Sequence, residues 1–149
     1  MRAGATIRRT WMRSAGLAAL SGARTMMGPV FAARDSERWR RARPWIVGAA
    51  AGELLIDKIP GIPDRTAAPG LLPRAMMGGA VAVVSRPTPD AGSAVFAAAL
   101  GAAAAVAGAF ITLELRRRLT RRLGGHGIAN LVSGAIEDGL VIAAGRALI

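Results

Sequence analysis

The chain has no cysteine, no tyrosine, one histidine and one lysine, and aromatic residues make up only 4% of its 149 positions. Without cysteine there are no disulfides, thiolate metal sites or cysteine nucleophiles. His126, in Gly124-Gly125-His126-Gly127, lacks the companions a metal site needs. It reads as a loop or helix-start residue, and neither a metal nor a cofactor is expected. The shortage of aromatics removes the stacking platforms that single-strand nucleic-acid binders use. Enzyme motifs are missing too: no HExxH, no GxSxG and no phosphate loop occurs, so no enzymatic activity is expected. Lys58 and Arg65 match the K-x6-R spacing that opens the signature of membrane lipid phosphatases. The later elements of that signature need two histidines, and this chain has one.

Acidic residues are also scarce, 9 against 20 basic ones, for a net charge of +11 and a pI near 12.0. The near-exclusive use of arginine over lysine reflects a GC-rich bacterial genome. Such a charge would suit nucleic acid, but the arginines are bunched between apolar stretches. Arg8, Arg9 and Arg13 form one group, residues 34–43 a second and residues 116–122 a third. That punctuation fits loops flanking a membrane and touching anionic lipid headgroups, and nucleic acid is not expected as a partner.

What the chain has in plenty is small apolar side chains. It is 52% hydrophobic with mean hydropathy +0.37, mostly as Ala, Gly, Val and Leu. Small residues suit helices that approach closely in lipid, where packing rather than water drives association. Residues 92–113 contain no charge, enough to cross a bilayer at about 20 residues per crossing. Small residues recur along them at helical spacing, Gly101 and Gly108 among them. Residues 127–149 carry Glu137 and Asp138 near the middle, and residues 14–33 carry Arg24. Each central charge costs on the order of 3 kcal/mol on insertion scales, so these two segments need a polar partner. Residues 44–56 and 71–85 are shorter and are joined by a Pro/Gly-rich loop at 57–65.

The expected fold is therefore all-α: a polytopic helical membrane protein of four to five short segments. Five crossings, or three with a re-entrant hairpin, both satisfy the pattern. A basic segment at 1–13 would precede a single transmembrane domain at 14–149, multi-pass in a bacterial inner membrane. Trp11, Trp39 and Trp45 stand at segment borders, where an interfacial aromatic belt would place them. Two local patterns compete with simpler accounts. Arg24, Met26, Met27 and Gly28 recur as Arg74, Met76, Met77 and Gly78, which is either an internal duplication or coincidence in a biased composition. Arg8-Arg9-Thr10-Trp11-Met12-Arg13, followed by Ser21-Gly22-Ala23, imitates a twin-arginine export signal.

Chemistry is expected where charge lies inside apolar segments. Glu53 and Asp57 are four apart and share a helix face, with Lys58 following. The simplest assembly sets Arg24 against Glu137 or Asp138, with Glu53 and Asp57 nearby. Such a cluster serves either as an ion-pair network fixing helix register or as a path for an ion, proton or small solute. Transport or permeation is the leading expectation, and a scaffold gathering partner helices or anionic lipid is the alternative. Gly48 and Gly52 form a GxxxG suited to helix contact within the chain or in a homo-oligomer.

Gly22-Ala23-Arg24, Glu53 with Asp57-Lys58-Ile59-Pro60, and Glu137-Asp138 together resemble the signature of the bacterial membrane family catalogued as domain of unknown function 4126. The resemblance covers about residues 14–149 and departs where Arg65 and Arg74 lie in a Pro-rich link. It implies a small helical membrane protein of a family without an established activity. It also implies that Arg24 belongs to the mature domain, against cleavage of a signal.

Overall fold

The computed structural model describes residues 2–56, 68–86, 90–124 and 127–149, with the side chains of 2–5, 35, 38, 56, 68, 69, 127 and 130 left aside. Among the described residues the protein is all-helical. In chain order come α1 (Arg2–Ala23), α2 (Met27–Asp35), a 3-10 turn (Glu37–Ala42), α3 (Arg43–Ile56), α4 (Ala68–Val84), α5 (Ala91–Arg122) and α6 (Gly127–Ala147).

Local chemistry explains most of these ends. Asp90 caps α5, its side chain accepting the Ser93 N–H at 2.7 Å, as N-cap carboxylates do. That bond holds the Asp90 carboxyl below the usual carboxylate range. Arg121 and Arg122 occupy the last turn of α5, where cations face the negative end of the helix dipole. Gly124 then takes a positive φ of 92°, which glycine accepts without steric cost. Pro29 and Pro44 fall in the first turns of α2 and α3, where the missing N–H is not required.

Two expectations change. Residues 14–33 are not one helix: α1 stops at Ala23 and α2 restarts at Met27, with the Met27 N–H bonded to Arg24 O at 3.0 Å. In the other direction α1 reaches back to Arg2, through the division drawn between 13 and 14. Of the four to five expected crossings, one is shown as a candidate among the described residues. One helix, α5, is long and apolar enough to cross a membrane, with a window of mean hydropathy 2.2 that is 28% buried. The apolar part of α4, Gly70–Val84, is shorter, and α2 with nine residues rises only about 13 Å.

The centre of the molecule is where α1, α4 and α5 meet. A side chain at Gly22 would run into the Ala105 carbonyl and the Ala109 amide, and one at Gly108 into the Ala19 carbonyl. One at Gly78 would lie 2.7 Å from Gly101 O, and one at Gly101 would lie 2.5 Å from the Ala82 methyl. Gly101 and Gly108 thus sit at backbone-to-backbone approaches, the contact that small residues permit. Trp11 meets Phe96 edge-on at 5.5 Å, so α1 and α5 run in the same direction. Arg86 stacks over that Trp11 ring at 3.8 Å. α6 runs against α1, with Arg13 Nε donating to Leu148 O at 2.9 Å near one end and Arg24 meeting Asp138 near the other. Leu17, Leu20, Phe31, Val81 and Val141 fill the apolar core between them.

Beside its apolar core the molecule also buries charge and exposes large apolar side chains. Arg24, Arg74 and Glu137 are buried, while Trp45, Leu72, Val95, Phe96, Phe110 and Ile128 are exposed. Soluble proteins seldom bury arginine or glutamate without pairing them and seldom display large contiguous apolar patches.

Candidate functional site

The break between α1 and α2 organises a network of charges. Arg24 lies in it, only 3% exposed. Its Nε and Nη2 both donate to Asp138 Oδ1 on α6, at 2.8 and 2.5 Å. Charge-assisted pairs of this kind are among the stronger hydrogen bonds.

The restart of α2 has no side-chain cap of its own, since Met26 stands at its N-cap. Glu53 of α3 supplies one. Its Oε1 accepts the Thr25 N–H at 2.7 Å and its Oε2 the Met26 N–H at 2.9 Å. Two donors left over by the helix break are thereby satisfied, and a carboxylate sits at the positive end of the α2 dipole. Arg74 of α4 stands behind it, with Nη2 3.7 Å from Glu53 Oε1. Arg74 Nη1 donates to Gly70 O at 2.6 Å, the carbonyl one turn earlier in its own helix.

The third pair lies between α5 and α6. Glu137 is 1% exposed, and its Oε2 is 4.0 Å from Arg116 Nη1. One turn on, Thr120 and Ser133 share a hydroxyl hydrogen bond of 2.8 Å. Three guanidinium groups and three carboxylates thus join the α1–α2 break, α3, α4, α5 and α6 in a network of balanced charge.

The structure brings together Arg24, Glu53, Glu137 and Asp138, four of the six positions expected to cluster. Asp57 and Lys58 lie outside the described residues, as does His126. Arg24 pairs with Asp138, and Glu137 lies 4.0 Å from Arg116 of α5. Among the described residues Gly48 and Gly52 make no close helix contact, because none of them lies within 4 Å of where their side chains would be. Arg74 and Arg116 are the members that sequence reasoning missed. For Arg74 a signal existed in the repeat of Arg24-x-Met-Met-Gly. Arg116 stood in a basic run that resembled a membrane flank, and its inward turn depends on α6 folding back beside it.

No family model, curated protein or solved structure matches this chain.

Proposed function

We propose that the protein is a multi-pass membrane scaffold, a small helical bundle assembled around the arginine–carboxylate network and presenting apolar faces to lipid and to partner helices. The observation that carries this reading is the combination of paired charges buried in the bundle with large apolar side chains exposed on its surface. That arrangement suits a surrounding hydrocarbon, in which ionisable groups survive by facing the bundle interior and pairing there. The low burial of α5 favours a lipid-facing helix over the core helix of a soluble protein. Of the residues that carry the resemblance to family 4126, Gly22 stands at the α1–α5 approach, Arg24 meets Asp138 and Glu53 holds the helix break, while Asp57-Lys58-Ile59-Pro60 lies outside the described residues.

A scaffold is preferred to a carrier because each carboxylate of the network already faces an arginine. Arg24 spends two donors on Asp138, Glu53 is held by two amides beside Arg74, and Glu137 faces Arg116. An ion-binding site needs groups that exchange their partner for the ion, or a net charge that attracts it. Passage of a small solute is the second reading. It is favoured by buried polar atoms, Ser14 Oγ, Ser21 Oγ and Arg74 Nε among them, that have no hydrogen-bond partner among the described residues. Ser14 and Ser21 fall on one stripe of α1, and Arg24 follows at the break, a line that buried water could follow.

Two measurements decide. In reconstituted liposomes a scaffold passes no proton, ion or small solute, whereas a carrier passes one and loses it when Arg24 is replaced by Lys. Single cysteines at Asp90, Leu123 and Ile149 report topology against a cysteine-free background. Crossing by α5 and return by α6 place Asp90 and Ile149 on one side and Leu123 on the other. All three labelled from one side would sink the multi-pass reading.

A further inference from the structure

A groove of about 540 Å³ runs between α2, α3 and α6, outside the ion-pair network. Its volume falls in the range of about 300–1,000 Å³ typical of ligand sites. The floor is apolar, made by Val30, Phe31, Ile46, Ala50, Leu54 and Ile142, and no carboxylate lines it. Three arginines do: Arg34, Arg43 and Arg146.

These arginines share one end. α2 and α3 are antiparallel: Glu53 holds the start of α2, while Arg43 reaches its finish, donating from Nε to Ala33 O at 2.6 Å and from Nη2 to Arg34 O at 2.5 Å. α6 runs alongside α2, with Asp138 at Arg24 and Gly145 against the Phe31 ring. Arg146 therefore falls beside Arg34. From Arg43 to Leu54 the groove follows α3 for about 16 Å, near half of a hydrocarbon core of about 30 Å. The exposed Trp45 stands beside the arginine end, one turn or less from Arg43.

Arg34 and Arg146 are exposed and, among the described residues, neither they nor Arg43 pairs with a carboxylate. Arg43 is committed through Nε and Nη2 to backbone carbonyls, which fixes its guanidinium and leaves Nη1 to donate. An apolar trough one leaflet long, ending in three cations that pair with no carboxylate among the described residues, complements one kind of molecule. We infer that this groove binds an anionic phospholipid, its acyl chain along α3 and its phosphate among Arg34, Arg43 and Arg146. The inference rests on the membrane reading above and gives the scaffold its lipid class.

The test uses the full chain with Trp11→Phe and Trp39→Phe, so that Trp45 alone fluoresces, in vesicles of phosphatidylcholine containing one fifth phosphatidylglycerol. Bromine is carried on the acyl chains of one lipid or the other. The groove predicts stronger quenching by brominated phosphatidylglycerol than its mole fraction allows. It predicts a fall in that preference on the order of ten-fold in the Arg34→Gln/Arg146→Gln double variant. Arg43 is spared because its loss would also unbind the end of α2. Arg117→Gln/Arg118→Gln removes the same charge elsewhere and should leave the preference intact. Equal loss in both double variants would reduce the effect to general charge and overturn the site. Quenching by each brominated lipid in proportion to its mole fraction would overturn it as well, as would displacement by millimolar inorganic phosphate or glycerol phosphate, which points to a soluble anion. Flotation separates the two levels of failure. A chain that floats with vesicles but shows no lipid preference loses only this site, and one that does not float loses the membrane reading too.

Discussion

The two halves of the cross-section are held by different means. Where α1, α4 and α5 meet, glycine and alanine bring backbones together with no room for a side chain at Gly22, Gly78, Gly101 or Gly108. Where α2, α3 and α6 wrap the outside, the helices are joined by arginine–carboxylate pairs, and a groove remains between them. Dispersion contacts fall off steeply with separation, so the first region is specified by shape alone. Charge pairs act over longer distances and tolerate looser packing, so the second can leave space. In a chain of few large side chains, both means are needed to fix one arrangement.

Four substitutions would sharpen or break that contrast. The largest effect is expected from Asp138→Ala, which removes the α6 partner of Arg24, itself only 3% exposed; losing one partner of a buried pair costs about 3–5 kcal/mol. Unfolding followed by circular dichroism in detergent should show it, and an Arg24→Gln/Asp138→Asn double variant should recover part of the loss. A double variant no better than the single would mean that the pair is not what holds α6. Next comes Gly22→Ala, whose added methyl meets backbone rather than a movable side chain. Overpacking of this kind costs about 1–3 kcal/mol, and an unchanged melting temperature would show that the α1–α5 approach is looser than described. Gly48→Ala should move the other way, because nothing surrounds the new methyl and alanine is favoured over glycine in a helix interior by about 0.5–1 kcal/mol. Destabilisation there, or loss of an oligomer on a sizing column, would reveal a contact made by a second copy.

The smallest effect concerns Asp90. Its carboxyl is held below the ordinary value of 3.8 by the Ser93 amide. A depressed value in the folded state means a contribution present at neutral pH and lost as pH falls below about 4 through the folded value. Asp90→Ala should lower the melting temperature slightly at pH 7 and leave it unchanged at pH 2. An equal loss at both values would mean that the cap acts by something other than its charge.

How much of this was legible in advance follows from the range of the forces. The all-helical class and α5 follow from an uninterrupted apolar run, a local property, and the attraction between Arg24 and the Glu137–Asp138 pair follows from the cost of isolated charge in an apolar segment. The break after Ala23 was not legible, because the cap that permits it comes from Glu53, 28 residues from Thr25. Arg116 was misplaced for the same reason: which face of a basic run turns inward depends on a helix that comes later. Gly48 and Gly101 show the limit of spacing as a guide. Both lie in small-residue patterns, yet only Gly101 meets another helix, and nothing local distinguishes them.

The Arg24–Asp138 pair also sets a timetable. Its partners are separated by 114 positions, roughly 6–23 s of synthesis at ~5–20 residues per second. Through that interval Arg24 has to be tolerated by water, lipid or a helper before its carboxylate exists. Bundle closure is thus deferred to the arrival of α6, and a product truncated before it carries an orphaned guanidinium by which defective copies can be told from finished ones.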